Sequence, residues 1–121
     1  MPGKTILVVD DSPTELRLMA TTLVQNGYKV ETAIDGEEAL NKAAGLLPDL
    51  VLLDIILPKK NGYQVCRQLK TQPETSHLRV VLVSSKNQDS DRYWGLRQGA
   101  DTYLTKPFSD SELLKVIHQY I

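Results

Sequence analysis

Only one cysteine, Cys66, stands in the 121 residues, so no disulfide can close within the chain and no cysteine zinc cluster can form. A lone thiol fits a reducing compartment, and the expectation is a cytoplasmic protein. No apolar run approaches the roughly 18 residues that cross a bilayer, so membrane insertion is not expected. The opening stretch MPGKTILVVDD is apolar only from Ile6 to Val9 before two acids, which reads as a buried strand rather than a signal peptide. A surplus of charge is missing too. Fourteen Lys and Arg face fifteen Asp and Glu, net −1, unlike a generally basic nucleic-acid binder. There is no GxxxxGK[ST] phosphate loop, internal repeat, low-complexity tract or linker. What remains is ordinary: 41% apolar and 24% charged residues, expected as one domain over residues 1–121. A chain of this size can bury a core without disulfide or metal staples.

Short apolar runs alternate with helix-period segments. The runs are Ile6–Val9, Lys29–Ala33, Leu50–Leu53, Val80–Val83 and Thr102–Leu104. Three are continuous β-branched or leucine runs, as strands buried on both faces require, and the more polar second suits a sheet edge. Ser12-Pro13-Thr14-Glu15 offers an N-cap, a first-position proline and a capping-box glutamate. Leu16, Met19, Ala20, Leu23 and Val24 then form one apolar stripe, ended by Gly27. Ala39, Leu40, Ala43 and Leu47 mark a second helix, stopped before Pro48, and Tyr63, Val65, Cys66 and Leu69 a third. Tyr93, Trp94 and Leu96 mark a fourth, ended by Gly99. Ser109 to Glu112 forms another capping box, before a stripe of Leu113, Leu114, Val116, Ile117 and Tyr120. Five βα units in strict alternation predict a parallel α/β sheet with helices on both faces. Ligands of such sheets bind beyond the carboxyl ends of the strands, so function belongs to the residues there.

Those residues are Asp10 and Asp11 after the first run, Asp54 after the third, Ser84-Ser85 after the fourth and Lys106-Pro107 after the fifth. Singly, each has a bland explanation in a turn, a strand end or a solvated lysine. Their coincidence at one sheet edge points to chemistry. Three clustered carboxylates repel unless a cation joins them, and Mg²⁺ accepts a few carboxylates while leaving room for phosphate oxygens. Lys106 adds a point charge and Ser84 a hydroxyl donor, while Asp54 could act as nucleophile and form an aspartyl-phosphate. A flavodoxin-type nucleotide site fits poorly, because the loop after the first strand is acidic. A small aspartyl-phosphate phosphatase usually carries D-x-D there and needs length for a substrate pocket.

Val8 to Ser12 (VVDDS), Leu52 to Gly62 (LLDIILPKKNG), Val81 to Ser85 (VLVSS) and Tyr103 to Phe108 (YLTKPF) together resemble the receiver domain of bacterial response regulators, over essentially the whole chain. The resemblance implies a (βα)5, doubly wound, flavodoxin-like and CheY-like sheet in the strand order 2-1-3-4-5. It implies that Asp54 is the phosphoacceptor, Asp11 a direct Mg²⁺ ligand, Asp10 the acid holding metal water, and the Ile56 carbonyl a further ligand, with Mn²⁺ able to replace Mg²⁺. Ser84 matches the hydroxyl that moves onto the phosphoryl group, and Lys106 the lysine that pairs with it. Lys106-Pro107 matches a bond usually cis in the family. Tyr103 matches the aromatic that swings inward when the hydroxyl moves. The Ile56 side chain is expected to overhang the phosphoryl group and limit water. Lys86 lies near the mouth of the site, where a solvated loop lysine is an equal reading.

A narrower resemblance rests on DDSPTE (Asp10 to Glu15), PETS (Pro73 to Ser76) and SSKNQDSDRYWGLRQGADTYLTKP (Ser84 to Pro107), with Trp94-Gly95 its most telling part. It is to the PilH subgroup, stand-alone receivers of chemotaxis-like systems controlling type IV pili. The implied protein is a response regulator without an output domain, since the fifth helix runs to Ile121, and so without direct DNA binding. It takes a phosphoryl group from a CheA-like sensor histidine kinase and assists its own phosphorylation and dephosphorylation without acting on an outside substrate. A downstream protein target would read the fourth helix, fifth strand and fifth helix, where Trp94, Arg97 and Tyr103 fall. A phosphate sink or relay intermediate has the same chemistry without the output. A pseudo-receiver that only binds partners fits poorly with the intact set of acids, hydroxyl and lysine.

Overall fold

The computed structural model describes residues 3–121; Met1 and Pro2 of the expected domain lie outside the described residues. The elements alternate as expected: β1 (Thr5–Val9), α1 (Pro13–Gln25), β2 (Lys29–Ala33), α2 (Gly36–Leu46), β3 (Leu50–Asp54), α3 (Gly62–Thr71), β4 (Arg79–Ser84), α4 (Asp89–Arg97), β5 (Thr102–Thr105) and α5 (Asp110–Tyr120). All pairings are parallel and the order is β2-β1-β3-β4-β5. No helix among the described residues is long and apolar enough to cross a membrane.

Side chains alternate across a strand, so one apolar run feeds two cores. Leu7, Val9, Val51, Leu53, Val80 and Leu82 point to α2, α3 and α4, packing with Ala39, Ala43, Val65, Cys66 and Leu69. Ile6, Val8, Leu50, Leu52, Val81 and Val83 point to α1 and α5, packing with Met19, Leu23, Leu113 and Ile117. Tyr103 belongs to the first layer and its neighbour Leu104 to the second. Cys66 is walled in by the first layer, and burial pushes its thiol up to about 12, which leaves it inert.

Register decides where the strands end. Val9 lies beside Leu53, Asp54 beside Val83 and Ser84 beside Thr105. The next residue of β1, Asp10, and of β5, Lys106, therefore arrive at the same edge. The order reverses about β1, between β2 and β3, and this leaves the crevice in which ligands of such sheets sit.

Three apolar expectations need correction. Val24 and Leu47 are exposed: Val24 lies off the Met19–Leu23 line, and Leu47 is the left-handed cap of α2 at φ 47°. Tyr93, Trp94 and Leu96 do not form the core face of α4. All three are exposed, and the residue facing the sheet is Gly95. A Cβ there would stand 2.8 Å from Leu82 Cδ1 and 3.2 Å from the Tyr103 ring. The contact face of the helix is set by its smallest residue, which lets it lie close.

Asp101, just before β5, ties three elements together. Its carboxylate accepts from the Val80 backbone N–H at 2.7 Å, from Lys70 Nζ at 3.0 Å and from Arg79 at 3.3 Å. Burial alone would raise its pKa, but these donors outweigh burial and hold it below the ordinary carboxylate value. A depressed carboxylate stabilises the fold above its unfolded pKa of about 3.9 and loses that stabilisation as pH falls through the folded value. Asp101→Asn is expected to cost about 2 kcal/mol in urea unfolding at pH 7. The gap between the two proteins should close in acid; an equal gap at all pH values would contradict this account.

Candidate functional site

Each side chain of the site is held by the end of a strand. Asp10 continues β1, its N–H donating to the Ala33 carbonyl, and its Oδ1 accepts from Ser12 N–H at 2.9 Å. That turn starts α1, whose N-cap is Ser12 followed by Pro13. Asp54 closes β3, and its Oδ1 accepts from the Ile56 N–H at 3.3 Å. Lys106 N–H donates to the Ser84 carbonyl at 2.9 Å, which locks the ends of β4 and β5 together. The Lys106-Pro107 bond is cis, as the resemblance implied.

The structure brings the three aspartates together. One carboxylate oxygen from each of Asp10, Asp11 and Asp54 lies within 4.8 Å of the others. Asp10 is fully buried, Asp54 nearly so, and Asp11 stands at the mouth. Hard, charged oxygen donors on one side of an open cleft suit a hard divalent cation such as Mg²⁺, and the donor set contains no soft ligand. The peptide of Ile56, anchored on Asp54, lies beside this cluster.

One cation of the chain already serves the cluster. Lys106 Nζ contacts Glu15 Oε1 at 2.7 Å, Asp10 Oδ2 at 3.0 Å and Asp54 Oδ2 at 3.3 Å. Burial alone would lower the lysine pKa; its carboxylate partners outweigh this and raise it, so it stays charged at any working pH. Burial also pushes the Asp54 carboxyl above its ordinary value, and Asp10 adds to this while Lys106 works against it. Asp54 is thus a desolvated carboxylate held in one orientation, as a nucleophile should be.

Ser84 is buried at the end of β4, its Oγ accepting from Lys86 N–H at 3.2 Å. Tyr103 departs from the expected docking surface. It is 4% exposed, and its hydroxyl donates to the Lys86 carbonyl at 2.8 Å. The bare Cα of Gly95 leaves room for the ring, and burial, aided by neighbouring Tyr63, pushes the phenol up to about 12. Lys86 takes part through its main chain, linking the Ser84 hydroxyl to that of Tyr103. Trp94 and Arg97 do face outward, and the Arg97 guanidinium lies 5.8 Å from the Tyr93 ring centroid. Ile56 is 58% exposed beside Asp54. From Asp54 an open groove of about 900 Å³ follows α1, past Leu18 and Thr22, to Phe108 and Leu113.

Sequence reasoning missed Glu15 as a member of the site. The expected capping box is half formed: Ser12 Oγ accepts from the Glu15 N–H at 3.4 Å, but the Glu15 carboxylate turns to Lys106 instead of the cap. The Ser12 N–H is already taken by Asp10 Oδ1, and the charged Lys106 ammonium is the stronger partner left for the Glu15 carboxylate. The spacing of Glu15 from Asp11 was the available signal. Gly95 stood out only as half of the Trp94-Gly95 pair, and Arg92, which donates to the Tyr103 carbonyl at 3.3 Å, gave no signal.

Residues 6–118 match the response regulator receiver domain family. Protein PilH of Pseudomonas aeruginosa is 45% identical over 93% of this chain and 93% of its own length. Several longer relatives, 39–47% identical, are spanned by this chain over only 23–45% of their length. The fold superimposes on chemotaxis response regulator CheY4 of Vibrio cholerae with a TM-score of 0.93, 29% identity, and coverage of 98% of this chain and 99% of that one. The receiver domain of sensor histidine kinase PA1611 from Pseudomonas aeruginosa, solved with magnesium in its active site cleft, gives 0.91, 29% identity and coverage of 98% and 97%.

Proposed function

The chain belongs to the response regulator receiver domain family, and from that premise we propose that Asp54 accepts a phosphoryl group from a phosphohistidine of a CheA-like sensor histidine kinase, in chemotaxis-like control of type IV pilus motility. Receiver domains take phosphate from histidine kinases and signal to downstream targets, and 45% identity to PilH supports the pilus assignment. The observation that carries the reading is the Asp54 carboxylate beside Asp10 and Asp11 with Lys106 bonded to it.

A carboxylate oxygen of Asp54 attacks phosphorus, a P–O bond forms, and the P–N bond to the histidine breaks. The imidazole nitrogen keeps that electron pair, and the product is an acyl phosphate. Lys106 stands where negative charge gathers on the transferring group, and most catalysis of phosphoryl transfer is such positioning and neutralisation. Asp10, Asp11, Asp54 and the Ile56 carbonyl would hold Mg²⁺, which supplies further charge neutralisation when bound. Ser84 is the hydroxyl available to a phosphoryl oxygen, and Tyr103 the ring coupled to it through Lys86. The output surface is then α4 with β5 and α5, offering Trp94 and Arg97. Tyr103 acts on that surface from within.

Incubation of the wild-type chain with Mg²⁺ and a small phosphodonor, read by intact mass, should add one phosphoryl group. No addition with any donor would sink the proposal. The phosphate-sink reading has one observation in its favour: Tyr103 is already buried, which leaves less for phosphorylation to move. Trp94 is the single tryptophan and 53% exposed, so its emission reports on α4. A change on phosphorylation favours signalling to a partner, and no change favours the sink.

Ile56→Asn is expected to speed phosphate loss several-fold, because an exposed apolar side chain beside Asp54 keeps water from phosphorus and an amide can orient it. A phosphate-release assay checks this, and unchanged decay would refute it.

A further inference from the structure

We infer that Glu15 is a positioning residue that competes with the phosphoryl group for Lys106 and so sets how tightly the site holds it, an inference that rests on the phosphoacceptor reading of Asp54. An ammonium group has three N–H donors. Here Asp10 and Asp54 each accept one, and Glu15 crowds the same ammonium with the shortest ionic contact, 2.7 Å against 3.0 Å for Asp10 and 3.3 Å for Asp54. A phosphoryl group on Asp54 brings oxygens that need the same donors, so one carboxylate must yield. Asp10 is fully buried, and parting it from its cation would leave a desolvated charge exposed to its like-charged neighbours. Asp54 carries the phosphoryl group itself. The Glu15 side chain is 48% exposed, so water can replace the lysine there at little cost. Glu15 is therefore the partner displaced, and its hold on Lys106 is subtracted from the affinity of the site for the group. Its helix does not depend on that carboxylate, because the N-cap bond to Ser12 runs through the Glu15 backbone.

The test uses the full chain and two substitutions, with Glu37→Gln, an exposed first-turn acid of α2, as the charge-matched control. Affinity for fluoroberyllate in Mg²⁺, measured by calorimetry, should rise about three- to fivefold in Glu15→Gln, the range of a half-exposed ion pair. Glu15→Asp keeps the charge but shortens the reach, and should show most of the same gain. A second readout needs neither metal nor phosphate: reductive methylation of Lys106, read by peptide mass, should quicken in both variants as the amine loses a partner. Glu37→Gln should change neither. Unaltered methylation in both Glu15 variants, or a gain in fluoroberyllate affinity absent from Glu15→Asp and equalled by Glu37→Gln, would overturn the inference. Failure of the wild-type chain to bind fluoroberyllate would instead count against the phosphoacceptor reading, and the methylation result would still decide whether Glu15 holds the lysine.

Discussion

Asp54→Asn will take up no phosphoryl group in Mg²⁺ with a small phosphodonor, while the wild-type chain gains the mass of one. The carboxamide has nearly the same shape, so it fills the same space at the end of β3. It lacks the negative oxygen that attacks phosphorus. Lys106 keeps Asp10 and Glu15 as partners, so the lysine is not left unpaired. The expected loss of uptake is complete rather than graded, because Asp10, the other aspartate bonded to Lys106, is fully buried and does not line the open groove that a phosphodonor enters. The variant should also fold at least as well as the wild type. Burial holds the Asp54 carboxyl above its ordinary pKa, so its ionised form costs stability at neutral pH. Asn removes that cost at pH 7, and the advantage should vanish in acid, where wild-type Asp54 is protonated. Uptake by the variant, on Asp10 or Asp11 for instance, would show that the acceptor is misassigned.

Gly62→Ala should be strongly destabilising. A Cβ at Gly62 would fall 2.3 Å from the Asp54 carbonyl oxygen and 2.7 Å from the Ile55 Cα. Both are main-chain atoms, and no rotamer can clear them. The Gly62 N–H also donates to the Ile55 carbonyl at 2.7 Å, so the first turn of α3 is cinched against the end of β3. Relief requires moving the peptide that carries Asp54. The cost should be about 3 kcal/mol, with Tm lower by roughly 10 °C. Phosphoryl uptake by the folded fraction should slow as well, because the displaced carbonyl belongs to Asp54. Gly45→Ala is the counterpart: nothing lies within 4 Å of its Cβ in α2, and it should gain about 0.5 kcal/mol from helix propensity. Thermal melts of the two variants beside the wild type check both signs, and a Gly62→Ala protein as stable as the wild type would refute the packing argument.

The parts of this architecture written in runs of like residues are legible in the sequence itself. Ile6–Val9, Leu50–Leu53 and Val80–Val83 are apolar on both faces, and each becomes a strand feeding two cores. The acids and the lysine that follow these runs meet because the register of a parallel sheet brings strand ends level. Features that depend on a choice between partners are not legible there. Glu15 satisfies the spacing of a capping box, and only the nearness of Lys106, far along the chain, diverts it. The aromatic residues of α4 have the look of a core stripe, whereas the close approach of helix and sheet at Gly95 turns them outward. Asp101 reads as a loop acid, and its role follows from the free Val80 N–H and the two cations that the fold places round it.

The ion pairs of Lys106 also impose an order in time. Its partners lie 96 positions back at Asp10 and 52 back at Asp54. During synthesis the acids emerge first, and contacts of such separation close late in folding. Until β5 docks, the cleft has its negative charge without the lysine that offsets part of it. Docking of β5 completes the sheet and brings that lysine to the acids, so the Asp54 site takes its final form only once the whole domain has assembled.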